Sequence, residues 1–234
     1  MSSLCCREIN QAESSVDRGS GEAGMTKDEA LDIILSTKAI AVIRMADARK
    51  LSKVVEAIRK GGIKALEITM TTPGALGIIG ALSRENPAGS LVGAGTVLDR
   101  NTALQAIRAG ADFLVSPITN FEMMNVCRAH DRFVAPGALT PSEIVAAWDG
   151  GADVVKVFPA TSLGPKYFRD LKGPLPQIRL MPTGGVSVEN ARAFIDNGAC
   201  CVAIGTALLD TKAIESEDWD GLTQRASALM ALLS

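Results

Sequence analysis

Apolar and polar positions alternate between two periods along most of the chain. Apolar residues three and four apart, the spacing of one helix face, recur near 26–35, 47–60, 73–84, 100–109, 120–129, 141–149, 165–172, 188–196 and 217–232. Between them run short apolar segments at 39–44, 64–70, 90–95, 113–116, 133–135, 153–158, 178–181 and 200–204. They return roughly every 20 to 25 residues, the period of a strand plus a crossover helix. Thr26 and Glu29 supply the Thr-x-x-Glu capping pattern that opens the first helix. At 59–63, 108–112, 149–153 and 196–200 a helix ends in glycine and runs straight into a strand. Glycine there can take the left-handed conformation that closes a helix. This order predicts an α/β chain: a single (β/α)8 TIM barrel over 25–234 with an N-terminal helix, after a disordered polar tail over 1–24. A doubly wound open sheet is the alternative, and it usually has fewer strands.

Composition narrows the chemistry. The chain has 234 residues with 24 Lys+Arg against 26 Asp+Glu, which leaves no electrostatic footprint for nucleic acid or an anionic membrane. No stretch is apolar for long enough to span a bilayer, and the first residues lack the apolar centre of a secretory signal. The expected location is the cytoplasm. His130 is the only histidine, so a histidine-built metal site is not expected. Cys5, Cys6, Cys127, Cys200 and Cys201 have no zinc-site spacing; reduced thiols, with Cys200 and Cys201 as small core residues, are the reading.

Strands covered on both faces should be continuously apolar, yet two carry one charge each. In Ala65-Leu66-Glu67-Ile68-Thr69-Met70, alternation puts Leu66, Ile68 and Met70 on the helix side and Glu67 on the other, with Ala65 and Thr69. In Asp153-Val154-Val155-Lys156-Val157-Phe158, Lys156 shares a face with Val154 and Phe158. These second and sixth strands lie on opposite sides of an eight-stranded barrel, whose interior is narrow enough for facing side chains to meet. A buried lysine loses its proton more readily, and a neutral amine attacks a carbonyl to give an iminium. A nearby carboxylate can then move the protons. A structural Glu67–Lys156 ion pair is the plainer alternative.

Other residues suggest an anionic substrate. Arg44 ends the first strand, where its guanidinium could fork onto a carboxylate or simply meet solvent. Pro182-Thr183-Gly184-Gly185 follows the seventh strand and Gly205-Thr206 the eighth, the pair of loops that commonly hold phosphate in such barrels. Gly93-Ala94-Gly95-Thr96 lacks the third glycine and the acidic partner of a dinucleotide site, so that reading is rejected. Thr96 and Pro117 sit where they could shape the mouth, or serve only as loop residues.

Taken in order, Ile40-Ala41-Val42-Ile43-Arg44, Leu66-Glu67-Ile68-Thr69, Val92-Gly93-Ala94-Gly95-Thr96-Val97, Val115-Ser116-Pro117, Val155-Lys156-Val157-Phe158-Pro159-Ala160 and Met181-Pro182-Thr183-Gly184-Gly185-Val186 resemble the 2-keto-3-deoxy-6-phosphogluconate / 4-hydroxy-2-oxoglutarate aldolase family. The resemblance spans about residues 26 to 233. It implies a usually trimeric barrel that cleaves a 2-oxo-4-hydroxy acid reversibly to pyruvate and an aldehyde, without metal or other cofactor. It implies Lys156 as the Schiff-base lysine, Glu67 as general acid/base, Thr96 near the pyruvate carboxylate and Pro117 and Phe158 as pocket walls. Thr183, Gly184, Gly185, Gly205 and Thr206 would hold phosphate. Many members carry an arginine four residues after the glutamate to bind the carboxylate; here Thr71 stands there, and Arg44 is the substitute. Two rival readings remain: a phosphosugar isomerase or epimerase using the same loops without an imine, and a barrel that only binds sugar acids.

Overall fold

Backbone hydrogen bonds gather the short apolar runs into parallel sheets. The computed structural model describes residues 25–45 and 48–234; the tail expected over 1–24 and the expected helix start at 47 lie outside them. Strands β1 (Ala39–Ile43), β2 (Ala65–Thr69), β3 (Leu91–Gly95), β4 (Phe113–Val115) and β5 (Phe133–Ala135) join β9 (Val202–Ile204) in the order β5-β4-β3-β2-β1-β9. Strands β6 (Gly137–Ala138), β7 (Val155–Val157) and β8 (Leu180–Pro182) form a second sheet in that order. Among the described residues every strand pairing is parallel, as in an α/β fold.

The run at 133–135 continues further than its apolar pattern indicated. Pro136 has no N–H to give, so the ladder breaks there, and its carbonyl instead accepts from Lys156 N–H at 2.9 Å. The chain then pairs on as β6, with Gly137 level with Lys156. At the other margin of the second sheet, Thr183, just past β8, bridges Ala203 of β9 in parallel.

Helices alternate with the strands: α1 (Lys27–Thr37), α2 (Leu51–Lys60), α3 (Ala75–Arg84), α4 (Arg100–Arg108), α5 (Phe121–Ala129), α6 (Pro141–Asp149), α7 (Gly164–Lys172), α8 (Val188–Asp196), α9 (Thr211–Glu215) and α10 (Trp219–Leu233). A 3-10 turn at Ala48–Lys50 leads into helix α2. The five-residue α9 is absent from the sequence reading, being too short to show a period. Thr26 caps α1 in a full capping box with Glu29. The helix-ending glycines Gly62, Gly110, Gly151 and Gly198 are left-handed, with φ of 98°, 100°, 95° and 100°.

Alternation along the strands divides the core in two. Ile43, Leu66, Ile68, Val92, Leu114, Val155, Leu180 and Ile204 face outward into the helices. Ile40, Ala65, Leu91, Phe113, Phe133, Val154, Met181 and Cys201 form an inner cluster closed by Ala30 and Ile34 of α1. Burying a side chain such as Ile34 contributes about 1.5–3 kcal/mol, so α1 is held by this cluster. Asp112 and Asp153, which precede β4 and β7, accept from the free N–H groups of Val92 and Val134 at 2.9 and 2.8 Å. They tie neighbouring strands together rather than serving chemistry.

Candidate active site

The inward faces of β2 and β7 bring two charged residues into the interior. Glu67 follows Ala65 on its face and is 1% exposed; Lys156 follows Val154 and is 5% exposed. Among the described residues Lys156 is the only buried lysine and Glu67 the only buried carboxylate. Oε2 of Glu67 is buried without a hydrogen-bond partner. A carboxylate in a structural ion pair normally has its remaining lone pairs satisfied, and this carboxylate keeps an oxygen unsatisfied.

Burial pushes the Glu67 carboxyl above its ordinary range, against the pull of the Lys156 and Arg44 charges. Burial likewise draws Lys156 below its usual value, against the Glu67 charge and helped by Arg44. The Lys156 Nζ also stands 5.0 Å from the centroid of the Phe158 ring, a contact that favours the ammonium. Burial is the largest influence on this amine, and it favours the neutral form.

The glycines of β3 acquire a reason here. A Cβ on Gly95 would overlap the Glu67 carboxylate, and one on Gly93 would overlap the Phe113 ring. These residues are empty space for neighbouring side chains, consistent with rejecting a dinucleotide loop. Nothing in sequence spacing announces that role.

A cavity of about 740 Å³ opens at the C-terminal ends of β1, β7, β8 and β9. Val42 and Ala203 line its inner part, Arg44 and Phe158 its wall, and Thr183, Gly184, Gly185, Gly205 and Thr206 its far side. Phe158 joins this cavity to the buried lysine, since its ring both lines the opening and lies beside Nζ. The N–H groups of Gly184, Gly185 and Thr206 donate to no acceptor among the described residues. Gly184 and Gly185 are left-handed, with φ of 85° and 73°, and a Cβ on Gly185 would press on Thr161. Successive backbone donors of this kind make an anion-binding concavity. Thr183 differs from its neighbours: it is 8% exposed and its Oγ1 is buried without a partner.

Five expected site residues do not line this cavity: Lys156 and Glu67, which are buried in the interior, and three that lie elsewhere. Thr96 is half-buried just past β3 with φ of 58°, Pro117 packs its carbonyl against Gly137, and Thr71 is exposed with its hydroxyl 3.0 Å from that of Thr69. None of the three lines the cavity. Conversely, Met45, Arg49, Thr211 and Glu215 line it without having been singled out. Lys50 joins them while clamping α9, donating to the carbonyls of Ile214 and Glu215 and pairing with Glu217 at 3.3 Å. Long-range packing of α9 places them, which local pattern cannot show. Among the described residues no group of three or more His, Cys, Asp or Glu gathers to hold a metal ion, and no helix is long and apolar enough to cross a membrane.

A parallel α/β scaffold with a buried amine and carboxylate, and a cavity edged by backbone N–H groups unpaired among the described residues, suits lysine-based carbonyl chemistry. The family model for KDPG and KHG aldolase matches residues 31–225. The 2-dehydro-3-deoxy-phosphogluconate aldolase of Pseudomonas aeruginosa is 37% identical over 77% of this chain and 80% of its own length. The KHG/KDPG aldolase of Escherichia coli is 31% identical over 86% and 94%. Among solved structures, a KDPG aldolase from Legionella pneumophila, holding pyruvate as a covalent carbinolamine, superposes with a TM-score of 0.78. It is 27% identical over 85% of this chain and 97% of its own. The chain belongs to the KDPG and KHG aldolase family, and it is an aldehyde-lyase.

Proposed function

We propose that this aldolase cleaves a 2-oxo-4-hydroxy acid to pyruvate and an aldehyde, with Lys156 as the amine that bonds to substrate. The observation that carries this reading is Lys156, the one buried lysine among the described residues, drawn toward neutrality, together with Glu67, the one buried carboxylate among them. Lys156 Nζ adds to the C2 carbonyl, and Glu67 gives the proton with which the carbinolamine loses water. The protonated imine accepts the electrons of the C3–C4 bond as the C4 hydroxyl loses its proton and the aldehyde leaves. Reprotonation of the enamine at C3 and hydrolysis release pyruvate and the free amine.

Arg44 supplies the carboxylate contact that Thr71 cannot. Register supports the exchange: Ile43 of β1 is level with Ile68 of β2, so Arg44 emerges alongside Thr69 on the adjacent strand. Gly184, Gly185, Gly205 and Thr206 take a distal phosphate, or the second carboxylate of an oxoglutarate-type substrate. Thr183, more buried than these loop residues, lines the same cavity, while Thr96 and Pro117 shape the mouth beyond it. The two sheets, joined through Pro136 and through the Thr183–Ala203 bridge, are read as one closed (β/α)8 barrel with α1 across its N-terminal end. The working state is a cytoplasmic homotrimer.

Borohydride added with pyruvate tests the chemistry. One reduced pyruvate per chain should appear on Lys156 by peptide mass, and an unmodified Lys156 would exclude the imine. For Arg44→Gln we expect KM for pyruvate-forming substrates to rise about 10-fold or more, the scale of a lost charge-assisted contact. An unchanged KM would move the carboxylate site elsewhere.

A further inference from the structure

Cys200 and Cys201 stand in the bend that leads into β9, with their Sγ atoms 3.8 Å apart. Cys201 is buried in the inner apolar cluster beneath α1, and Cys200 is half-buried beside it. Two cations are anchored next to this bend. Arg179 precedes Leu180, whose carbonyl accepts the Cys200 N–H at 2.9 Å. Its guanidinium donates to the Asp153 carbonyl at 2.7 Å and stacks over Trp148. Lys172 donates to the Pro176 and Ile178 carbonyls, and its stem packs so close to Gly198 that a Cβ there would collide with it.

The second sulfur and the two cations all favour a thiolate at Cys200, drawing it below the ordinary thiol range despite its burial. Cys127 is the internal contrast. It lies in the outer core, where burial and the Asp153 charge push its thiol up to about 12. Cys200 is set up to attack first, while the hydrogen bond with Cys200 and burial push the Cys201 thiol up, so that it keeps the proton it later gives to the leaving hydroxyl.

We propose that Cys200 and Cys201 are a reversible oxidation site that a peroxide converts to a disulfide between adjacent residues. The Cys200 thiolate attacks one peroxide oxygen; the S–O bond forms, the O–O bond breaks and hydroxide leaves. The Cys201 sulfur then attacks the sulfenic sulfur, and the hydroxyl departs as water with the Cys201 proton. Two electrons pass from the thiols to the peroxide, and a dithiol reverses the change.

The test uses the full chain with Cys5→Ser and Cys6→Ser, which leaves 200–201 as its one adjacent thiol pair. After brief hydrogen peroxide, the protein is denatured in iodoacetamide, cut with trypsin and weighed. The peptide 193–212 should be two hydrogens lighter and unalkylated, while Cys127 is fully alkylated; dithiothreitol before alkylation should restore both thiols. With Cys201→Ser added, dimedone should trap a sulfenic acid on Cys200. Full alkylation of Cys200 and Cys201 after peroxide, or a Cys200 bond between two chains, would overturn the proposal.

Discussion

The same strands end in two different environments. At their N-terminal ends, Ile40, Ala65, Leu91, Phe113 and Met181 meet Ala30 and Ile34 of α1 in a closed apolar plug. Two to four residues further along, the inward positions become Val42, Glu67, Gly95, Lys156 and Ala203, and the packing gives way to charge and space. The backbone is equally regular at both ends. The lesson is that one alternating pattern builds stability and chemistry in series, and that the second is destabilising where it stands. Burial opposes the charge on Glu67 and on Lys156, so the plug must supply what the reacting end removes.

The sharpest way to break that contrast is Lys156→Met. Activity should fall about 10⁴-fold or more, the scale on which covalent nucleophiles are missed, while the melting temperature rises. Native Lys156 sheds its proton below the ordinary lysine value of 10.5, so the unfolded chain binds more protons over that window. Wild-type stability should therefore increase with pH from the native lysine's range up to about 10.5. Glu67 acts in the opposite sense: its native value is raised above 4.5, so stability falls as pH climbs from there through the native range. Urea titrations across pH should show the alkaline gain disappear in Lys156→Met. If the gain persists, the lysine is not the strained group.

At the other end, Ile34→Ala should reverse both readouts. It empties a fully buried side chain from the plug, and about 2–5 kcal/mol of stability should go with it. Turnover per folded molecule should stay near wild type, because α1 does not contribute to the cavity lining. A large drop in kcat at temperatures where the variant is folded would show that the two ends are not separable.

How much of this was legible beforehand follows from the range of each cause. The inward placement of Glu67 and Lys156 was readable because strand alternation is a nearest-neighbour property, and a lone charge in an apolar run is conspicuous. The helix stops at Gly62, Gly110, Gly151 and Gly198 were readable for the same local reason. The continuation of β5 past Pro136 into β6 was not, since it depends on which strands lie alongside. Helix α9 was missed because five residues show no period, and its lining residues Thr211 and Glu215 because the helix is held by Lys50, far back in the chain. Thr71 was singled out for an absent arginine, and it bonds back to its own strand instead.

Gly93 and Gly95 put the contrast on a single strand, two residues apart on one face, and give the smallest and most discriminating test. A Cβ at Gly93 would enter the space of the Phe113 ring, which belongs to the plug; a Cβ at Gly95 would enter the space of the Glu67 carboxylate. Gly93→Ala is an overpacking change, with an expected cost of about 1–3 kcal/mol and little effect on kcat of the folded fraction. Gly95→Ala displaces an acid/base group rather than a core ring. A shift of about an ångström at a reacting group costs up to about 10²-fold, so kcat should drop by that order while KM for the 2-oxo acid moves little. Denaturation midpoints and kcat measured on both variants should diverge in opposite directions. Equal losses of stability and of turnover in the two would mean that the glycines serve only the packing of β3, and that Glu67 reaches its position without the room Gly95 leaves.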